Sequence, residues 1–262
     1  MLVYPDVSPV AFHVGAFAVR WYGIMYLLGF AAAWWLGLIR SSKEHNSFTP
    51  DHVSDALFFC AIGVIIGGRV GYMLFYDFSG LVQSPLSLFA IWDGGMSFHG
   101  GLIGVIIAAC FYCYKTGFNV FDVLDFFAPM VPIGLGAGRI GNFLNDELWG
   151  RVTDSPIGMV FPSGGPLPRY PSQLIEMLLE GVCLFVILWL FSMRPKPRMA
   201  VSAMFLLGYS VFRFAAEFLR QPDPQKGFIA WNWLTMGQLL CVPMFIIGLI
   251  LLWRAYSRRQ LA

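Results

Sequence analysis

Seven long apolar segments alternate with shorter polar connections along this chain of 262 residues. Each is close to the length of about 20 residues that a helix needs to cross the hydrocarbon core of a bilayer, which is about 30 Å thick. The pattern predicts an all-α integral membrane protein with seven transmembrane helices, in a single polytopic membrane domain over residues 1–262. The predicted spans lie near residues 17–39, 55–76, 97–114, 121–143, 173–193, 200–219 and 235–254.

Basic side chains follow the first, third, fifth and seventh predicted spans. Cytoplasmic loops carry an excess of Lys and Arg, so we expect these connections in the cytoplasm, with the N-terminus outside and the C-terminus inside. The other connections, near 77–96, 144–172 and 220–234, then face the exterior, and their length and many Gly, Pro and Trp residues predict a small cap there. The basic residues are Arg40, Lys43, Lys115, Arg194, Lys196, Arg198, Arg254, Arg258 and Arg259.

Composition agrees with a membrane protein and narrows its chemistry. Hydrophobic residues make up 58% of the chain and charged residues 12%, against about 25% charged in a typical soluble domain. The formal net charge of +2 gives no electrostatic support for binding nucleic acid.

Cys110 and Cys113 form a C-x-x-C within an apolar segment, where we interpret them as small packing residues. Scattered histidines and cysteines predict no metal site, and we expect no cofactor.

A polar cluster ends the fourth predicted span, in the stretch GAGRIGNFLNDELWG (136–150). It contains Arg139, Asn142, Asn145, Asp146 and Glu147 within nine positions. Ionisable residues inside a membrane are costly and are therefore functional candidates. If the helix continues to residue 147, Arg139, Asn142 and Asp146 share one face. Two interpretations stay open: a ligand site, or a packing network in which Arg139 pairs with Glu147 or with another helix.

A second cluster lies in the sixth predicted span, in GYSVFRFAAEFLRQPD. Tyr209, Arg213 and Glu217 are spaced i, i+4 and i+8, so they stack on one helix face. Two spans thus each carry an arginine beside a carboxylate. Guanidinium groups bind phosphate oxygens bidentately, and the phosphate found naturally at this depth belongs to a phospholipid headgroup. Arg139 and Arg213 are therefore candidates for binding such a headgroup.

Three further positions are notable, and the first two each have two interpretations. His99, in WDGGMSFHGGLIG, can act as a base near neutral pH or can bond to a helix terminus. Tyr22, one turn before Tyr26, can contact a substrate or belong to an interfacial aromatic belt. Arg69 lies among glycines in GGRVGYMLFY, which favours a structural role in tight helix packing.

The stretch GRIGNFLNDELWGR resembles the G-R-x-G-N-F-x-N-x-E-x-x-G signature of the prolipoprotein diacylglyceryl transferases. Four more stretches, MSFHGGLIG, YPSQLIE, RFAAEFLRQPD and MGQLL, occur along the chain in the same order as in that family. The resemblance extends over about residues 10–255. The sequence departs from the usual pattern at Ile175, where the family commonly has an aromatic residue.

The resemblance implies a multi-pass enzyme of the bacterial inner membrane, with its cap and N-terminus in the periplasm and its C-terminus in the cytoplasm. Such enzymes transfer the diacylglyceryl group of phosphatidylglycerol to the thiol of the lipobox cysteine of a prolipoprotein and release glycerol phosphate. The partners implied are phosphatidylglycerol, the prolipoprotein signal peptide and membrane lipids. The catalytic residues implied are His99, Arg139, Glu147, Arg213 and Glu217. The residues implied in phosphatidylglycerol binding are Tyr22, Arg139, Asn142, Asn145, Tyr209 and Arg213.

The expected mechanism follows from these residue types. Arg139 and Arg213 stabilise the charge on the leaving phosphate, and Glu147 and Glu217 orient them. The thiol proton goes to His99, or the positive field of the arginines produces the thiolate without it. The alternative function is a phospholipid transporter or flippase that uses the same arginine site. Such a protein is expected to contain inverted repeats, and residues 1–130 show no match to residues 131–262.

Overall fold

The computed structural model of the protein describes residues 2–5, 7–15, 17–42, 48–90, 95–222 and 227–257. Over these ranges the chain is mostly helical, as predicted. Helices α7 and α8 are joined by a π-helical segment, Met177–Cys183. The α-helices are α1 (Trp21–Ser41), α2 (Pro50–Phe75), α3 (Phe78–Gln83), α4 (Phe98–Thr116), α5 (Val120–Phe127), α6 (Val131–Leu144), α7 (Ser172–Glu176), α8 (Leu184–Phe191), α9 (Ala200–Ala216) and α10 (Met236–Ser257).

Four stretches of helix among the described residues are long and apolar enough to cross a bilayer: α1, α2, the continuous run Ser172–Phe191, and α10. The bent pair α5 and α6 can form a fifth. Helix α9 and the α4 stretch Gly100–Thr116 are apolar but shorter. The protein is therefore a helical membrane protein with four to five candidate spans, and the number seven stays a prediction.

The start of the first predicted span was wrong. Residues Phe17–Arg20 form strand β2, which pairs antiparallel with β1 (Val10–Val14), and the helix begins only at Trp21. Gly15 lies in the connecting turn with φ of +60°, a conformation that glycine adopts without a steric penalty. A hairpin therefore precedes α1, because the first four residues of the predicted span bond to a neighbouring strand.

Prolines interrupt the fourth predicted span as the sequence indicated. Helices α5 and α6 are separated by a three-residue break and bent by 53°. Pro129 lies in the break, and Pro132 occupies the first turn of α6. Proline removes a backbone donor and ends or kinks a helix in its interior, but it is tolerated in the first turn. The bend therefore follows directly from the two prolines.

The compact unit formed by residues 37–123 is held together by glycine contacts. Gly67 and Gly71 of α2 face Gly100 and Gly104 of α4, and side-chain carbons at these positions would collide with the opposing backbone. Small residues let membrane helices approach closely enough for extensive van der Waals contact. These contacts agree with the tight helix packing that the glycine-rich sequence around Arg69 favours.

Arg69 binds backbone carbonyls within the same unit. Its Nη2 donates to Ser87 O at 2.5 Å, its Nε to Leu88 O at 3.3 Å and its Nη1 to Gly95 O at 3.3 Å. The side chain is buried, with 6% of its residue exposed. Arg69 thus fixes the segment that follows α3 against α2, which is a structural role.

The second compact unit comprises residues 1–36 and 124–262. Asp125 of α5 caps helix α9 within it: its carboxylate accepts from Met199 N at 2.7 Å and from Ser202 N at 2.8 Å. The Ser202 hydroxyl donates to the same carboxylate at 2.5 Å. Because the first backbone N–H groups of a helix lack intrahelical partners, this carboxylate stabilises the start of α9.

An aromatic cluster lies just beyond the end of α6, in the region predicted to form the cap. Phe161 is fully buried and packs against Phe143 and Tyr4. The Tyr4 hydroxyl donates to Phe143 O at 2.7 Å. Burial, with a smaller contribution from nearby Asp146, raises the pKa of Tyr4 above its usual value. The cluster ties the N-terminal residues to the segment after α6.

Candidate active site

Two arginines from different helices share one buried carboxylate. The Oε2 atom of Glu176, at the end of α7, lies 2.9 Å from Arg139 Nε and 2.6 Å from Arg213 Nη1. Glu176 is only 1% exposed. A carboxylate between two guanidinium groups offsets the repulsion between their like charges. The structure thus brings together the two arginines that the sequence analysis selected.

Arg213 binds a second carboxylate, that of Glu217 at the C-terminal end of its own helix. Its Nη2 lies 2.7 Å from Glu217 Oε2, the contact that the i, i+4 spacing predicted. Glu217 Oε1 accepts a hydrogen bond from the Thr235 hydroxyl at 3.1 Å. A side-chain carbon at Gly237 would lie 2.8 Å from the Glu217 carboxyl carbon. The MGQLL stretch therefore begins α10 close against the carboxylate that orients Arg213.

Glu180 is a third carboxylate in the cluster and lies in the π-helical segment. Its Oε2 is 3.4 Å from Arg139 Nη2 and its Oε1 is 3.6 Å from Arg213 Nη1. The residue is fully buried. π-Helical turns are rare and occur frequently at functional sites. We name the set Arg139, Glu176, Glu180, Arg213 and Glu217 the arginine–carboxylate cluster.

Glycines explain why Arg139 reaches these carboxylates. A side-chain carbon at Gly181 would lie 2.8 Å from Gly136 Cα, and one at Gly136 would lie 3.2 Å from Gly181 Cα. Helix α6 and the π-helical segment therefore meet backbone to backbone. Arg139 follows Gly136 by three residues and Glu180 precedes Gly181, so the close contact places both charged groups at one interface.

Contrary to the prediction, Glu147 does not orient Arg139. Its Oε1 accepts from Asn142 Nδ2 at 2.8 Å and from Asn145 Nδ2 at 3.4 Å. The chain turns back after α6, since Glu147 N donates to Asn142 O at 3.1 Å, and the carboxylate returns to the amides. Glu147, Asn142 and Asn145 thus form a separate polar group, while Arg139 pairs with Glu176 and Glu180.

The predicted helical stripe from Arg139 to Asp146 was also wrong at its far end. Helix α6 ends at Leu144, and Asp146 has a positive φ of 55°. Its Oδ2 accepts from Ser163 N at 2.5 Å. Short polar residues such as Asp tolerate this left-handed conformation, so Asp146 redirects the chain away from the face that carries Arg139.

Both candidate tyrosines lie in the same unit as the cluster. The Tyr22 hydroxyl is 3.1 Å from the Tyr26 hydroxyl. The Tyr22 ring packs against Gly141, where a side-chain carbon would lie 2.9 Å from it. Tyr209 stacks on Phe205 and interacts electrostatically with Glu180 and both arginines. These contacts keep both interpretations of Tyr22 open and place Tyr209 beside the cluster.

The side chain of His99 lies outside the described part of the structure. Its backbone belongs to the first turn of α4, which is capped by the Ser97 hydroxyl accepting from Gly100 N at 3.2 Å. The role of His99 as a base therefore stays a prediction.

The two arginines differ in which guanidinium nitrogen is left for a ligand. Arg139 uses Nε and Nη2 for its ion pairs and keeps the terminal Nη1, whereas Arg213 uses both of its terminal nitrogens and keeps Nε. The Arg139 side chain is 18% exposed and that of Arg213 is 11% exposed. The contacts among described residues leave Arg139 Nη1 available to bind an anion.

Sequence reasoning missed Glu176 and Glu180 as members of the site. The signal was present, because two carboxylates four residues apart inside an apolar segment are as costly as the arginines that were singled out. Glu176 stood in the YPSQLIE motif without a role. Which residue would partner each arginine depends on how separate helices pack, and the spacing within one helix does not give that.

Comparison with known proteins identifies a family. The family model for prolipoprotein diacylglyceryl transferase matches residues 9–254. A Coxiella burnetii protein named phosphatidylglycerol–prolipoprotein diacylglyceryl transferase is 58% identical to 99% of this chain, over its own full length. Proteins of the same name from Methylococcus capsulatus (57% identical, 99% of this chain and 100% of theirs) and Pseudomonas fluorescens (55%, 100% and 98%) are also similar. The chain belongs to the prolipoprotein diacylglyceryl transferase family.

Proposed function

We propose that this protein transfers the diacylglyceryl group of phosphatidylglycerol to the thiol of a prolipoprotein cysteine. The sulfur forms a bond to the glycerol carbon while the bond from that carbon to the phosphate oxygen breaks. The electron pair of the broken bond leaves on glycerol phosphate, and the thiol proton is released. The products are a thioether-linked prolipoprotein and glycerol phosphate. Family membership and the arginine–carboxylate cluster support this function, and the shared Glu176 contact carries it.

Arg139 is proposed to bind the phosphate directly and Arg213 to support it. Charge accumulates on the phosphate as the bond breaks, and donors fixed in advance stabilise it without reorganisation. The available Nη1 of Arg139 favours that residue for direct contact. Glu176 fixes the position of both guanidinium groups, and Glu217 fixes Arg213 from its other side.

The polar group of Glu147, Asn142 and Asn145 is proposed to bind the headgroup glycerol. Hydroxyl groups both donate and accept hydrogen bonds, so they suit a mixed set of carboxylate and amide atoms. Tyr22 and Tyr209 are proposed to line the same lipid site. His99 is proposed as the base for the thiol proton. If so, His99→Gln lowers activity and changes its pH profile; an unchanged profile favours thiolate formation by the field of the arginines.

The chain is proposed to form one seven-span domain in the bacterial inner membrane. Helix α4 and helix α9 occupy two of the predicted spans, and their apolar composition supports membrane crossing despite their shorter length. The N-terminus and the cap are proposed to face the periplasm, with the C-terminus in the cytoplasm. This orientation rests on the distribution of Lys and Arg.

Mass spectrometry of a lipobox peptide tests the proposed function directly. The purified protein is incubated with phosphatidylglycerol and the peptide, and the matched control peptide carries serine in place of the reactive cysteine. We expect a diacylglyceryl mass addition on the cysteine peptide alone. Folded protein that adds no mass contradicts the proposal. If it also redistributes labelled phosphatidylglycerol between vesicle leaflets, the transporter function replaces it.

A further inference from the structure

The arginine–carboxylate cluster contains three carboxylates but two arginines. With every group ionised, its formal charge would be −1. The other described groups that interact electrostatically with Glu180 are Tyr209 of α9 and Cys241 of α10, and neither type supplies a positive charge. An uncompensated buried charge is strongly unfavourable. It would also repel the anionic phosphate that the proposed function requires here.

The contacts show which carboxyl group is least stabilised as an anion. Glu176 lies within 2.9 Å of one arginine and 2.6 Å of the other, and Glu217 lies 2.7 Å from Arg213. The corresponding distances for Glu180 are 3.4 and 3.6 Å. Its Oε1 atom has no hydrogen-bond donor among the described residues, and the residue is fully buried. The Oε2 atom accepts one long hydrogen bond, from Arg139 Nη2 at 3.4 Å. Burial disfavours an ionised carboxylate whose donors are this few and distant.

We propose that Glu180 carries a proton in the resting protein, so that the arginine–carboxylate cluster is neutral before phosphatidylglycerol binds. Glu176 and Glu217 then balance the two arginines. The proton on Glu180 removes the charge that would oppose an entering phosphate. Glu180 is a positioning residue: it contacts the arginines and sets the charge around them, while Arg139 contacts the lipid. The kinetic consequence rests on the proposed function.

The π-helical segment supplies a structural reason for a neutral group at this position. The close approach of Gly136 and Gly181 leaves Glu180 enclosed between α6 and α9. Water is excluded there, because the residue has no exposed surface. A charged side chain would need the solvation that this packing denies, whereas an uncharged carboxyl or amide of the same shape fits without it.

Infrared difference spectra between the native protein and its variants, folded and without substrate, test directly whether Glu180 carries a proton. The native spectrum is expected to contain the carbonyl stretch of a protonated carboxyl group, and Glu180→Gln is expected to lose it. The matched variant Glu176→Gln should instead lose a carboxylate band. Absence of the protonated band from the native protein, or its persistence in Glu180→Gln, overturns the proposal.

Transfer kinetics supply the second readout. Glu180→Gln should lower activity at neutral pH much less than Glu176→Gln, because the amide reproduces an uncharged carboxyl group. Its activity should also decline less than native activity at alkaline pH. Glu176→Gln should lose about 100-fold or more, since the two arginines lose the charged acceptor that they share. Equal losses in the two folded variants contradict the proposal.

The two measurements separate this inference from the proposed function. The infrared spectrum needs no lipid and no peptide, so it reports on Glu180 even if the native protein transfers nothing. A protein that transfers the diacylglyceryl group but shows no protonated band would keep the proposed function and lose the proton on Glu180.

Discussion

Buried arginines occur in both compact units, but their partners differ. Arg69, in the unit of residues 37–123, donates to the carbonyls of Ser87, Leu88 and Gly95. Arg139 and Arg213, in the other unit, pair with carboxylates. In Arg69 all three guanidinium nitrogens are bonded to backbone carbonyls that follow α3. In the pair, one terminal nitrogen of Arg139 stays available to a ligand.

The difference shows that depth in an apolar segment does not by itself identify a functional arginine. All three arginines carry the same sequence signal, a charge that a membrane disfavours. The partner set distinguishes them, because backbone carbonyls fix the segment after α3 whereas a shared carboxylate holds two cations side by side, where the phosphate is proposed to bind.

The largest expected effect comes from Arg213→Gln. Removing one member of a buried ion pair costs about 3–5 kcal/mol because it leaves charge uncompensated, and here Glu217 would lose its arginine and Glu176 one of its two. Arg69→Gln should cost less, because it leaves neutral carbonyl groups rather than buried charges without a partner. Thermal unfolding in detergent compares them, and a larger shift for Arg69→Gln would break the distinction between the two sites.

Gly181→Ala tests the packing that builds the cluster. The new carbon would lie 2.8 Å from Gly136 Cα, so α6 must shift at a cost of about 1–3 kcal/mol, with a loss of transfer activity. Gly134→Ala is the control, since a carbon there meets nothing within 4 Å, and we expect it to be neutral or slightly stabilising. Similar stability and activity of the two variants would refute this role of Gly181.

The sequence predicted the helices better than the site. Apolar length located α1, α2 and α10, and the two prolines predicted the break between α5 and α6. The predicted helix ends were wrong where local hydrogen bonding overrode hydropathy, as in strand β2 and at Asp146 with its positive φ.

The prediction of which residues pair within the site failed for a different physical reason. Spacing within one helix predicted the contact between Arg213 and Glu217 correctly. Glu147 bonds to Asn142 because the chain turns after α6, and Arg139 pairs instead with Glu176 and Glu180 from another helix. Such contacts depend on helix packing, which hydropathy and periodicity do not determine.

Asp125→Ala should destabilise the protein without changing the chemistry of the cluster. The carboxylate caps α9, the helix that carries Arg213, and loss of such a cap costs about 1–2 kcal/mol. Ser202→Ala removes one of its bonds and should cost less, about 0.5–1.5 kcal/mol. Unfolding midpoints and the KM for phosphatidylglycerol check this. A changed KM at unchanged stability would extend the functional region to α5.

The smallest expected effect concerns Tyr4 at alkaline pH. Because burial raises its pKa in the folded state, the unfolded chain loses this proton first, at about pH 10. The stabilising contribution is therefore present below that pH and is lost as pH rises through the folded pKa. Tyr4→Phe should make stability decline less steeply above about pH 10. Equal pH slopes of the unfolding midpoint in the two proteins would contradict this.

The initial rate of diacylglyceryl transfer by Arg139→Gln, compared with Arg69→Gln at equal amounts of folded protein, tests the central claim most directly. Arg139 is expected to stabilise charge on the leaving phosphate, so its loss should lower the rate about 100- to 1,000-fold. Arg69 holds a loop, so the folded Arg69→Gln variant should stay within about threefold of native. Equal losses in the two variants, or near-native transfer by Arg139→Gln, would contradict the assignment of the phosphate site to the arginine–carboxylate cluster.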